Sequence, residues 1–459
     1  MNKARRTFIQ STVTVGAGLL AAGKALATGK DQQMPDMPGR KHPEHGKTPP
    51  ASQAPPQDVA TPGTALPVVT PDVPNLGYEV ENGVKVFHLV AEPVTRRILP
   101  FKTIDVWGYN GSCPGPTIQA NQGDRVRIVF ENRLPEATSI HWHGLEVPIE
   151  MDGTPHISHK PVPPGGRFVY EFALHQEGTY FYHSHGAMQE MMGMIGLFIL
   201  HPQKAHKPRV DHDFGIVLQE WAVLPSRTVP NTANMEFNFL TFNGVSAPST
   251  TPMLARLGSR VRIRIVNLGM DHHPVHLHGH QFYVTGTEGG RTPESTWYPG
   301  NTVLVGVAQA RDIEFEAKYR GDWMVHCHMP HHMMNSMSDL MGDRMITTAA
   351  TNRKQAMDQM RNMAAEIGSE HSMAPIAENA SSVPGFPQDA FMEMSMDSLE
   401  VKPETYGLPE NWSAGMMGMM TLVRVLPNDK YDEIMNIKKS GSVPKPAQKP
   451  ATEHQHSHE

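Results

Sequence analysis

The sequence predicts an all-β protein built from two similar Greek-key β-sandwich halves, and three features carry that expectation. Short runs rich in β-branched and aromatic residues alternate with Gly, Pro and Asn turns along most of the chain. Later runs repeat earlier ones: VRIRIVNLG (261–269) mirrors VRIVFENRL (126–134), and HPVHLHG (273–279) mirrors SIHWHG (139–144). Histidines at two- or three-residue spacing mark four separate segments of this kind. Core packing alone does not produce that pattern.

A chain of 459 residues suffices for two or three domains. Its 46 acidic and 40 basic residues leave a net charge of −6 with no extended basic patch, which argues against a nucleic-acid partner. No stretch approaches the roughly 18 apolar residues that span a bilayer, so no membrane span is expected. Thirty methionines and 26 histidines stand out. Thioether and imidazole both bind transition metals, although Met also fills irregular core gaps. Cys113 and Cys327 are the only cysteines. If Cys327 is a metal thiolate, no intrachain disulfide remains.

In chain order, residues 1–27 read as an export leader: the Arg5–Arg6 pair, an apolar stretch from Ile9 to Ala22, and a cleavage site after Ala27. RRTFIQ looks like a twin-arginine signal, so the mature protein is expected in the periplasm or outside the cell. Residues 28–75 are Pro-, Gln- and Gly-rich and read as a disordered tether, in which His42, His45, Met34 and Met37 are either weak metal donors or plain linker residues. The first β domain runs from 76 to 204. His141 and His143 end one of its strands, and His183 and His185 another. Met188, Met191, Met192 and Met194 follow, suited to packing under a loop or to a face that handles Cu(I). Cys113, in a Gly-Ser-Cys-Pro turn, reads as a buried free thiol.

The second β domain runs from 205 to 345. Beyond it the pattern lapses into a Met-rich insertion or lid, 346–410, with a short helix over 354–366. GMMGMMTLVRVLP (415–427) echoes EMMGMIGLFILHP (190–202), so 411–437 should hold a late strand, at 421–426, that closes this domain. A disordered tail, 438–459, ends in His454, His456 and His458.

The chemistry centres on Trp323–Met337, WMVHCHMPHHMMNSM. On an extended strand His326 and His328 share one face and Cys327 takes the other. Cys327, His332 and Met337 together offer thiolate, imidazole and thioether, the ligands of an electron-transfer copper. His326 and His328 would serve a second centre behind it. His276 and His278 also share a face, while His273, three residues before His276, can turn toward Cys327. Ser184 stands where the first domain would need a cysteine, so that domain should lack an electron-transfer copper.

Over roughly residues 100–345 these segments resemble those of the multicopper oxidases, with HxHG, HxH, HPxHxH and HCHxxxHxxxxM in order. The resemblance implies two cupredoxin-like domains and four coppers. Type 1 copper would take His273, Cys327, His332 and axial Met337, and type 2 copper His141 and His276. One type 3 copper would use His143, His183 and His328, the other His185, His278 and His326. Asp152 matches the family's carboxylate near the trinuclear cluster, while His156 and His159 read as surface residues. Only about 90 residues separate His185 from His273, which resembles the two-domain small laccases and implies a homotrimer with trinuclear sites between subunits. Met333 departs from relatives that carry an acid there. The implied reaction is one-electron oxidation of phenols or Cu(I), passed through Cys327, His326 and His328 to reduce dioxygen to water. Mn(II) and a redox carrier remain alternative donors. A copper nitrite reductase or a copper electron-transfer protein is the competing class.

Overall fold

The computed structural model describes residues 66–100, 102–223, 227–235, 237–333, 401–409, 412–413, 418–441 and 443. The leader, most of the tether, Met337, the helix expected over 354–366, most of the 346–410 insertion and the tail past 443 lie outside them.

Alternation builds the first half. On Arg125–Asn132 the side chains of Val126, Ile128 and Phe130 enter the core, and Arg125, Arg127 and Val129 face away. This strand lies between Val84–Leu99 and Arg167–Ala173, in a sheet completed by Tyr78–Glu81 and Lys102–Tyr109. The opposing sheet runs Gly115–Asn121, Ile195–His201, Gly178–Ser184, Ile140–His143. Between them lie Phe87, Phe130, Trp142, Tyr170, Tyr182 and Phe198.

The second half repeats this wiring. One sheet runs Phe239–Phe242, His212–Trp221, Arg260–Asn267, Gln309–Glu316, Phe282–Thr287, Gly290–Arg291. The other runs Met253–Arg256, Met420–Leu426, Gly321–Cys327, His273–Leu277, Thr302–Val305. Pairing senses match between halves. Val84–Leu99 pairs parallel with Arg125–Asn132 as His212–Trp221 does with Arg260–Asn267. Gly115–Asn121 pairs parallel with Ile195–His201 as Met253–Arg256 does with Met420–Leu426. The architecture is mostly β, with mixed sheets consistent with cupredoxin-like Greek-key halves.

Gly178–Ser184 and Ile195–His201 are buried along their whole length because both faces are covered. Phe181, Ile195, Leu197 and Ile199 meet Val217, Val266, Leu268 and Ala310 of the second half. A buried charge network crosses the same seam. Thr179 donates to Asp312 at 2.6 Å and accepts from Arg264 at 2.8 Å. Arg264 pairs with Asp213 at 2.8 Å, and Glu314 with Arg262 at 2.8 Å.

Two segments differ from expectation. Residues 66–75, assigned to the tether, are packed: Val68 is fully buried, and Asp72 accepts from Thr251 and Lys402. Val68 docks this end by burying its side chain, while Val69, itself exposed, makes a backbone bridge to Phe214. Past the late strand, Asn428–Ser440 is a helix, where the sequence reading placed the end of the strand segment and the start of the tail. Ile434 and Ile437 form its buried side, with Ile434 packed beside Leu254 and Leu426, and Gly441 ends the helix with φ 65°.

Candidate metal centre

His273 opens strand His273–Leu277, and its odd spacing from His276 sends it inward with Val275 and Leu277. The neighbouring strand pairs Val275 with Cys327, so the thiol points into the same interior. His332 returns to it from the 3-10 turn Pro330–Met333. All three are buried, and their donor atoms lie within 4.8 Å of one another. Nδ1 of His273 is 3.0 Å from Nδ1 of His332, and the Cys327 Sγ is 3.7 and 3.5 Å from them.

The outer nitrogens of both imidazoles meet carboxylates. His273 Nε2 binds Glu220, whose oxygens also accept from Met270 N at 3.0 Å and Asp271 N at 3.2 Å. His332 Nε2 lies 3.5 Å from Asp271. Outer-shell bonds of this kind fix the tautomer and leave Nδ1 free as the inner donor. Gly269 makes room, since a Cβ there would collide with the Glu220 carboxylate. Glu220 was absent from the sequence reading. Its signal was an acid inside the apolar run FGIVLQEWAVL.

Burial pushes the Cys327 thiol up to about 12. A thiolate is stable in such a place only beside a cation, and a coordinated thiol is deprotonated outright. Two inward imidazole nitrogens and a buried sulfur therefore suit a soft transition metal.

Two histidine quartets sit elsewhere, one at the ends of Ile140–His143 and Gly178–Ser184, the other at the ends of His273–Leu277 and Gly321–Cys327. In the first half His141 pairs with His183 across the sheet, and rings of His141, His143, His183 and His185 approach within 5.3–6.4 Å. Donor atoms of His141, His143 and His183 lie within 4.8 Å of one another. In the second half His276 pairs with His326, and His276, His278, His326 and His328 cluster with ring centroids 4.7–5.6 Å apart. Among the described residues no ring contact joins the quartets. His185 and His328 are exposed.

Backbone carbonyls accept from Nδ1 of His141 (Asp152 O, 2.7 Å), His183 (Ser184 O, 2.9 Å), His276 (Asn301 O, 2.7 Å) and His326 (Cys327 O, 2.9 Å). Nε2 is thereby turned toward the cluster: that of His183 lies 3.3 Å from His143 Nδ1, and that of His326 lies 3.0 Å from His278 Nε2. Burial holds His143 and His326 down at about 4 and His183 at about 3, so these rings are neutral donors at pH 7. Asp152 lies 3.4 Å from His141 and accepts from Thr154 at 2.7 Å. Gly153 permits this approach, at φ 84° and against the Ile140 carbonyl, where a Cβ would collide. His159 stacks on Phe168 and contacts the Tyr170 hydroxyl, while His156 is exposed.

The first half keeps the frame of the thiolate site without its ligands. Ile140 opposes Ser184 as Val275 opposes Cys327. Thr138, Ser184 and Gln189 thus correspond to His273, Cys327 and His332. They form a buried hydrogen-bonded set: Thr138 to Ser184 at 3.1 Å and Ser184 to Gln189 at 2.7 Å. Cys113 is buried and free, with its thiol pushed up to about 12 by burial.

Fold and donor set define a copper-binding protein of two β halves. Residues 91–205 and 223–341, together about half of the chain, match the multicopper oxidase family, and the chain belongs to it. Copper resistance protein A of Pseudomonas syringae pv. tomato is 36% identical over 134 residues, 29% of this chain and 22% of that protein. Laccase-2 of Botryotinia fuckeliana is 29% identical over 274 residues, 53% of this chain and 46% of that protein. The crystal structure of the blue copper oxidase from Nitrosomonas europaea aligns with a TM-score of 0.52 at 27% identity, over 55% of this chain and 82% of that one. The chain spans less than half the length of these curated relatives.

Proposed function

We propose that the protein is a laccase-like multicopper oxidase that oxidises phenolic donors, Cu(I) or both, one electron at a time, with dioxygen as acceptor. The observation that carries this reading is the strand end His326–Cys327–His328. One short segment supplies the thiolate of the buried site on one face and two members of a histidine quartet on the other.

His273, Cys327 and His332 would hold type 1 copper. His141 and His276 would hold type 2 copper. His143, His183 and His328, and His185, His278 and His326, would hold the type 3 pair. When bound, copper supplies the one-electron oxidation of the donor and the four-electron reduction of dioxygen to water. The chain orients the ligands. Carbonyl acceptors set the tautomers of His141, His183, His276 and His326, the Glu220 carboxylate sets that of His273, and burial keeps water from the Cys327 sulfur. Asp152, beside His141 and hydrogen-bonded by Thr154, would relay protons toward the acceptor side.

A homotrimer would join one subunit's first quartet to the next subunit's second. The exposed edges of His185 and His328 support this, as do exposed Ile149, whose carbonyl accepts from Asp152 beside His141, and exposed Leu304, opposite Pro274 on the strand that carries His276. Export by the twin-arginine route to the periplasm belongs to the same reading. The names of the relatives favour both donor classes, a copper resistance protein on one side and laccases on the other.

The deciding experiment is metal content with visible and EPR spectra of copper-loaded protein, then oxygen uptake with Cu(I) and with a phenol. Four coppers per chain, a thiolate band and a coupled pair are expected. One or two coppers without oxygen uptake would instead mark an electron-transfer or nitrite-reducing protein.

A further inference from the structure

We propose that the axial thioether of the thiolate site comes from Met419, not from Met337. This rests on the assignment of His273, Cys327 and His332 as type 1 ligands.

The first half shows where an axial residue belongs in this fold. Ten residues after Ser184, the spacing that separates Cys327 from Met337, stands Met194. It is fully buried and immediately precedes strand Ile195–His201. Two backbone hydrogen bonds define its place. Ser184 N donates to Met194 O at 3.0 Å, and Met194 N donates to Gln189 O at 3.3 Å.

In the second half the same two bonds are made by Met419. Cys327 N donates to Met419 O at 3.0 Å, and Met419 N donates to His332 O at 2.9 Å. Since Cys327 and His332 correspond to Ser184 and Gln189, Met419 corresponds to Met194. It too is fully buried and immediately precedes its strand, Met420–Leu426. That strand pairs with Gly321–Cys327 as Ile195–His201 pairs with Gly178–Ser184, matching His326↔Met420 to His183↔Ile195. Gly418 precedes Met419 as Gly193 precedes Met194, each with positive φ. Met419 also belongs to the buried cluster that contains Cys327.

Sequence spacing conceals the match. Met194 follows Gln189 by five residues, whereas Met419 follows His332 by 87. The Met-rich insertion enters the ligand loop between the histidine and its thioether. Met337 stands at the motif's usual count only because methionines are dense there.

The test compares the reduction potential and the visible and EPR spectra of the full copper-loaded chain with those of Met419→Leu, Met419→Gln and Met337→Leu. An axial ligand tunes the potential of such a site. Removing the thioether should raise the potential in Met419→Leu. The harder amide should lower it in Met419→Gln, and both variants should alter the EPR signal. Met337→Leu should match the parent. Leu for Met at a buried position keeps the volume, so the fold should persist. A parent-like potential in Met419→Leu overturns the proposal. So does a shift in Met337→Leu as large as that in Met419→Leu. Met337→Leu decides even where Met419→Leu fails to fold, because a shifted potential there refutes Met419 and a parent-like one removes the competitor. A parent without any thiolate band would defeat the type 1 assignment itself, a separate failure.

Discussion

Glu220→Gln isolates the outer partner of the thiolate site. The Glu220 carboxylate is fully buried and serves three donors: the His273 ring and the amides of Met270 and Asp271. The amide replacement keeps the volume and one oxygen acceptor, but turns an NH2 group toward a donor. Losing one hydrogen bond to a charged group should cost about 1.5–3 kcal/mol of stability in the copper-free protein. Without the carboxylate's charge the bond that sets the His273 tautomer is weakened. Outer-shell losses of this kind weaken metal affinity by about 10–100-fold. The assay is copper titration followed at the thiolate band, with urea unfolding of the copper-free chain alongside. The histidine quartets should load as in the parent. Gly269→Ala should reproduce the defect by pushing the carboxylate aside. A folded Glu220→Gln protein whose thiolate band saturates at the parent's copper concentration would refute the argument.

Other expectations follow from the seam and from the internal repeat. The triple substitution Thr138→His, Ser184→Cys, Gln189→His should add a second thiolate band and one more copper per chain; an unchanged count would break the correspondence between halves. Arg264→Met leaves Asp213 and Asp312 without their shared partner and should cost about 3–5 kcal/mol, read from urea unfolding of the copper-free chain. Burial alone would raise the Glu314 carboxyl, but Arg262, Arg291 and Arg260 outweigh it and hold it down at about 2, against an ordinary 4.5. A depressed folded-state value stabilises the fold above pH 4.5, and that stabilisation disappears as pH falls from 4.5 toward 2. It amounts to on the order of 3 kcal/mol. Glu314→Gln should flatten stability over that window, and an unchanged acid slope would count against the network.

What the sequence determined by itself is the local geometry of the ligands. Alternation on a strand puts His326 and His328 on one side and Cys327 on the other, and a spacing of three sends His273 away from His276. Such relations need only the chain's own period, so the two-half β architecture and the histidine sets were readable without coordinates. Tertiary structure decided what lies across the gaps. Glu220 reaches His273 from another sheet, 53 positions away. The seam pairs Thr179 with Asp312 across 133 positions. Residues 66–75 dock because Val68 finds a covered site, and the last helix forms because Ile434 finds Leu254 and Leu426. The axial thioether shows the division most clearly. Counting along the chain finds Met194 in the uninterrupted loop and passes over Met419 in the interrupted one. Backbone hydrogen bonds to Cys327 and His332 find it, because strand pairing sets a residue's place and is indifferent to the length of chain looped out between.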